Sequence, residues 1–403
     1  MKLSDTPQEI EDTRFSAEEK ESGPVDIKYD PHGLPLNPQP TDRPDDPLNW
    51  SKTLKWCILL NVAFSALIAN AGAAAPNSAL VAIAAYFHIS VKQASYQATI
   101  FILFSGVSSL VIVPFANVYG RRPFYLAFGL TLAMSSIWSG ASRSWTSMIT
   151  ARVFNGIGAS ASFALGAATV CDIFYQHERG FYIGIYTLFF TTGPHIAPLI
   201  GGFLAQYVNF RWCFYVPGIA QSATFVSLIF FLPETLFPRE YVSAQSSPPL
   251  SYRQLLTIHR KIIPRKLDVQ SFISPLSIAN KLTILLPTLY YMTSFAFSST
   301  VFGLSAASIA KTVYGFDTAQ TGIFMSVPPT LGGLIGEATA GWISDIIVSR
   351  SAKSHDGHPE PEARLYQLPL ALCQQIGLII SGICLQRKTH YIAVVIGFGI
   401  ANF

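Results

Sequence analysis

Three ionisable side chains lie inside long apolar stretches of this sequence: Arg152, His195 and Glu337. Glu337 stands eight residues before Asp345, which on a helix places it two turns deeper, about 12 Å along the axis. A carboxylate at that depth can take up and release a proton, or serve as a structural acid hydrogen-bonded between helices. An arginine at a bilayer centre is costly, by roughly 3 to over 10 kcal/mol. Arg152 therefore faces a cavity or partner, or snorkels to a nearby surface. His195 fits a substrate contact, a proton site, or a ring bonded to a backbone carbonyl. Of the three, Glu337 is the best candidate for moving a proton. The sequence contains no Gly-rich phosphate loop, zinc signature or nucleophile elbow. No catalytic or metal-ligating residue is assigned, and an enzyme or an ATP-driven pump is not expected.

These residues need apolar helices to hold them, and the composition supplies such helices. The 403 residues are 50% hydrophobic and 12% charged, with mean hydropathy +0.37. A soluble domain carries about a quarter charged residues, so a soluble, disordered or nucleic-acid-binding chain is excluded. Residues 1–50 hold 5 basic and 12 acidic side chains; the rest hold 22 and 11. The first 50 residues read as a disordered acidic tail, and the remainder as a membrane domain. A helical crossing takes about 20 apolar residues. The gaps between charges predict spans near 57–77, 93–119, 123–142, 146–170, 181–206, 212–232, 281–309, 319–345 and 366–386. A short interfacial helix is predicted at 79–87, and a tenth apolar run begins near 389. Residues 51–232 thus form a six-helix bundle, 233–280 a polar loop, and 281–403 a second, incomplete bundle. With the N-terminus cytoplasmic, fifteen basic residues after position 50 fall inside and six outside, the bias expected of a cytoplasmic tail and middle loop. The five cysteines lie in or beside apolar runs without disulfide or metal spacing, and read as free, buried thiols. The N-terminus lacks the apolar core of a signal peptide.

Several motifs carry a family likeness. Between the second and third spans, Gly120 permits a tight reversal and Arg121 and Arg122 follow it. This loop resembles the major facilitator signature G-x-x-x-D-R-x-G-R-R, with Val113, Asn117 and Val118 at departing positions. In the second half, Gly341 and Asp345 are four apart on one helix face. There the resemblance implies a helix-end acid at Asp345 that pairs across the two halves. Arg152 with Gly156 and Gly158 looks like the family's span-4 motif, linked there to proton coupling. Gly193-Pro194-His195-Ile196-Ala197-Pro198-Leu199-Ile200-Gly201-Gly202 resembles its span-5 antiporter motif, with Ala197 in place of the middle glycine. Its two prolines free backbone carbonyls and bend the helix. The segments Asp45–Ser51, His177–Gly180 and Pro233–Phe237 narrow the likeness to fungal drug:proton antiporters of twelve spans, close to polyamine and multidrug exporters.

The resemblance implies an all-α major facilitator fold carrying about nine to ten of twelve spans. It implies proton-coupled export of small organic molecules such as drugs, polyamines or secondary metabolites, by alternating access. Arg152, Glu337 and His195 are the coupling candidates; Gly193, Pro194, Pro198, Gly201 and Gly202 shape the span-5 hinge; Gly120, Arg121, Arg122, Gly341 and Asp345 gate. Asn61, Asn155, Tyr290 and Phe295 are the expected cavity residues. The implied protein needs no cofactor beyond a proton gradient. It is a monomer in a lipid bilayer, takes a small-molecule substrate and binds no nucleic acid. The plasma membrane is its expected location, with the vacuolar membrane as alternative. The chain stops at Phe403, before the tenth run is long enough to cross. The competing expectation is therefore a truncated, non-transporting remnant or membrane sensor of the same family.

Overall fold

The computed structural model describes residues 28–29, 36–239, 250–257, 269–278, 280–354, 366, 369–370 and 372–402. The first half holds seven helices: α1 (Lys52–Ala74), α2 (Leu80–Phe87), α3 (Val91–Tyr119), α4 (Arg122–Ala141), α5 (Trp145–Ile173), α6 (Gln176–Tyr207) and α7 (Trp212–Phe231). Two short helices follow, α8 (Tyr252–Leu255) and α9 (Val269–Ile278). Next come α10 (Leu282–Phe295), a π-helical turn (Ala296–Val301), α11 (Phe302–Tyr314), α12 (Thr318–Ser354), α13 (Leu372–Gln386) and α14 (Tyr391–Ala401). Among the described residues, seven helical segments are long and apolar enough to cross a membrane: α1 with its extension to Asn77, α3 to α7, and Leu282–Tyr314. The helix α12 is longer still at 37 residues.

Sequence dictates where the helices begin and reverse. The hydroxyls of Ser51, Ser90 and Ser144 each accept a backbone N–H from the first turn of α1, α3 and α5, so each span starts on an N-cap. Gly120 adopts φ 102° between α3 and α4, a backbone conformation that disfavours any side chain.

One end of the first bundle is a polar network. The Glu234 carboxylate accepts the N–H groups of Arg121 (2.8 Å), Arg122 (3.1 Å) and Leu236 (2.9 Å). It therefore caps the start of α4, where the helix dipole favours an anion. Burial pushes this carboxyl above its ordinary range, and the three N–H groups pull it back. In return, the Arg122 guanidinium donates to the Leu228, Ile229 and Leu232 carbonyls at the end of α7. Arg121 pairs with Asp172 at 2.9 Å and donates to Asn117 at 3.0 Å. Asn117 thus still serves this arginine as an acceptor where the family signature has an aspartate.

Two expectations change here. Residues 36–50, predicted as part of a disordered tail, fold against this end; residues 1–27 and 30–35 lie outside the described residues. Asp46 is fully buried, caps the turn Pro47–Asn49, and pairs with Arg239 at 2.9 Å. Asp45 accepts the Leu250 N–H, which ties the segment to the middle loop. The acidic count hid a local cap: an aspartate followed by proline at the first helical position. The helix predicted at 79–87 forms as Leu80–Phe87. Leu80 and Ile83 are fully buried, in a core with Phe210, Phe214, Phe302, Phe324 and Phe398 that joins both halves. The cysteines are free, but only Cys213 is buried.

Glu234→Ala is expected to strand three N–H groups and destabilise the fold by at least about 2 kcal/mol. The thermal midpoint of the purified protein, compared with wild type, checks this.

Candidate functional site

A cavity of about 670 Å³ lies between the two halves. α1, α3, α5 and α6 line it on one side, and α10, the π-helical turn, α11 and α12 on the other. Aromatic and small side chains dominate its wall. Among the described residues, the lining contains one carboxylate, Glu337, and one imidazole, His195, with no lysine or arginine. At its far end from the Arg121 network, α6 meets α12 backbone to backbone. A Cβ on Gly202 would lie 2.7 Å from the Thr318 carbonyl oxygen and 2.9 Å from Gly322. Glycine at these positions lets the two halves touch without side chains between them.

The two titratable groups sit on that same helix pair. Glu337 on α12 accepts a hydrogen bond from Thr191 Oγ1 on α6 at 3.0 Å. One turn along, the His195 ring is 3.7 Å from where a Gly333 Cβ would stand. Thr191 and His195 are four apart on α6, and Gly333 and Glu337 four apart on α12, so each pair shares a helix face. The carboxylate and the imidazole therefore both stand in the cavity wall on one helix pair.

Span 5 carries both of its prolines, Pro194 and Pro198, inside one continuous helix. Pro194 has no N–H, so the Phe190 carbonyl four residues earlier loses its helical donor. Asn70 Nδ2 on α1 donates to that oxygen at 3.0 Å. Asn70 also lines the cavity, as does Asn77, whose amide oxygen accepts from Gln97 at 3.2 Å.

Arg152 is 1% exposed and does not line the cavity. Its guanidinium donates to the carbonyls of Gly72 (3.3 Å), Ala73 (3.2 Å) and Gln97 (3.3 Å), and to Asn155 Oδ1 (2.9 Å). It also lies over the rings of Phe101 and Phe214. The side chain does not snorkel, and among the described residues it has no carboxylate partner. The arginine gathers carbonyls at the end of α1, where the helix gives way to a 3₁₀ turn.

The expected cavity residues divide. Tyr290 and Phe295 line the wall. Asn61 does not; it reaches α7 and donates to Ser227 at 2.8 Å. Asn155 does not either; it is buried within the first bundle, bonded to Leu132, Ser135 and Ser136. The periodicity could have separated these asparagines. Asn70 and Asn77 are seven apart and share a face, whereas Asn61, nine before Asn70, falls on the opposite one. Thr191 and Gln374, both in the wall, carry no sequence signal of their own. Gly341 and Asp345 belong to the backbone of α12, and their side chains lie outside the described residues.

Asn70→Ala should lower the thermal midpoint of the wild-type protein. It should do so much less in a Pro194→Ala background, where position 194 regains an N–H for the Phe190 carbonyl. A coupling of about 1 kcal/mol is expected from this double-mutant cycle; strictly additive effects would contradict the assignment.

Comparison with known proteins places this architecture. A profile described as Major Facilitator Superfamily matches residues 62–403. Protein HOL1 of Saccharomyces cerevisiae is 24% identical over 474 residues, covering 96% of this chain and 80% of its own. MFS transporter cpaT of Aspergillus oryzae is 27% identical over 377 residues, covering 89% and 73%. Among solved structures, the partially occluded inward-open xylose transporter XylE from E. coli superposes with TM-score 0.60 at 15% identity. That superposition covers 87% of this chain and 81% of that one. At this identity the likeness establishes the fold alone.

Proposed function

Because the chain belongs to the major facilitator superfamily, and is thus a multi-pass membrane transporter rather than an enzyme, we propose that it exports small amphipathic or cationic organic molecules in exchange for protons. The observation that carries this reading is the single carboxylate of the cavity. Glu337 stands in an otherwise uncharged wall of aromatic, hydroxyl and amide groups. One carboxylate can hold a proton or face a cation, and the two states exclude each other. Mutual exclusion at one site is the minimal chemistry of antiport. Pockets of this volume accommodate small organic ligands, and Tyr290, Phe295 and Phe101 offer ring faces to a cation.

Thr191 holds Glu337 across the boundary between the halves, so a change in its protonation acts on a contact that must break during rocking. His195 is the second coupling group, one turn away. Arg152, the third coupling candidate, stands outside the cavity wall and acts through the packing of α1 against α3 and α5. The export direction rests on the likeness of the Gly193–Gly202 segment to the antiporter motif. Polyamines, drugs and secondary metabolites are the substrate classes. The division into residues 51–232 and 281–403 gives the two moving bundles, joined by the 233–280 loop. The protein works as a monomer with no cofactor beyond the proton gradient. The basic residues put the Arg121 end and the N-terminal segment on the cytoplasmic side, in the plasma membrane or, alternatively, the vacuolar membrane.

In proteoliposomes with an imposed pH gradient, uptake of a fluorescent lipophilic cation should be gradient-driven for wild type. Glu337→Gln should reduce that uptake by about tenfold or more, equivalent to roughly 1.4 kcal/mol or more, while the thermal midpoint persists. Gradient-driven uptake that survives Glu337→Gln unchanged would remove the coupling assignment.

A further inference from the structure

A second, smaller cavity of about 230 Å³ lies at the Arg121 end, outside the transport pathway. The first turns of α1 and α6 border it, and the turn Pro47–Asn49 roofs it. Lys52 and Lys55, three apart on α1, present two ammonium groups. Glu178, in the first turn of α6, presents a carboxylate to the same space. Trp50, Tyr175 and Tyr182 complete the wall.

Among the described residues, the charged groups of this cavity make no ion pair. Lys55 is 7% exposed, yet its ammonium makes one hydrogen bond, to the Leu48 carbonyl at 2.9 Å. Its remaining contacts are ring faces, Phe174 at 5.7 Å and Tyr175 at 5.4 Å. Among the described residues no carboxylate lies within 4.0 Å of it, and Glu178 has neither an ion pair nor a side-chain hydrogen bond. Opposite charges thus line one space without touching. Buried charges are ordinarily paired, and a ligand carrying both signs would pair these two at once.

We propose that this cavity binds the headgroup of a zwitterionic phospholipid. Its phosphate sits on Lys52 and Lys55, near the positive ends of two helices. Its amine sits against Glu178 and the aromatic faces of Trp50, Tyr175 and Tyr182. The surroundings suit a lipid rather than a soluble solute. Tyr182 packs against Phe181 at 5.3 Å and Trp56 at 5.4 Å, and Phe181 is 66% exposed. The cavity is therefore bordered by an apolar outer surface along which acyl chains can lie. The headgroup would weld the N-terminal segment to α1 and α6 from the membrane side.

The test uses the full chain, reconstituted in vesicles of phosphatidylcholine containing phosphatidylethanolamine or phosphatidylglycerol, then extracted and analysed by native mass spectrometry. One retained phosphatidylethanolamine or phosphatidylcholine is expected on wild type. Its occupancy should fall about tenfold in Lys55→Met and in Glu178→Gln, the loss of one charge-assisted contact. Glu178→Gln leaves the Lys55–Leu48 bond in place and so guards against simple misfolding. Retention unaffected by Glu178→Gln, or a preference for phosphatidylglycerol, overturns the zwitterion. Binding of soluble phosphoethanolamine without retention of any lipid overturns the membrane source.

Discussion

A carbonyl oxygen released inside an apolar phase must be given a donor, because no water is there to supply one. Much of this protein is organised around that requirement. Pro194 releases the Phe190 carbonyl, and Asn70 answers it. α1 ends inside the fold at Ala74, and Arg152 gathers the Gly72 and Ala73 carbonyls beside that end. α7 ends beside the polar network, and Arg122 takes its last carbonyls. In each case a side chain from one helix satisfies the main chain of another, so the bonds that repair a helix also fix its neighbour.

This division of labour leaves the cavity sparsely charged. Arg122 and Arg152 are occupied on carbonyls, and Arg121 and Arg239 on Asp172 and Asp46. What remains in the wall is Glu337 with its threonine, an imidazole one turn away, and amides and hydroxyls. Helices α6 and α12 carry both the titratable pair and the glycine contact at Gly202 and Gly322. The two titratable groups and the closest contact between the halves belong to the same two elements.

Helices were largely legible in the sequence because length and apolarity suffice to define a span. The predicted 93–119 and 123–142 became Val91–Tyr119 and Arg122–Ala141. Of the site, the lone carboxylate and the prolines could be read directly. What could not be read was the answering group. Asn70 matters because a proline 124 positions later leaves an oxygen bare, and no local rule connects the two. The folded segment at 36–50 was hidden for a similar reason. Asp46 looks like one more acid in an acidic stretch until Arg239 is brought beside it.

The solitary carboxylate of the cavity also bears on energetics. Exchange of one proton for one singly charged cation moves no net charge, so a membrane voltage would neither drive nor oppose it. Only the pH difference would count, and each pH unit is worth about 1.4 kcal/mol, a tenfold concentration ratio at most. A transporter built this way would hold a substrate gradient no steeper than the proton gradient that feeds it. It would be suited to keeping a toxic or surplus cation low rather than concentrating it strongly.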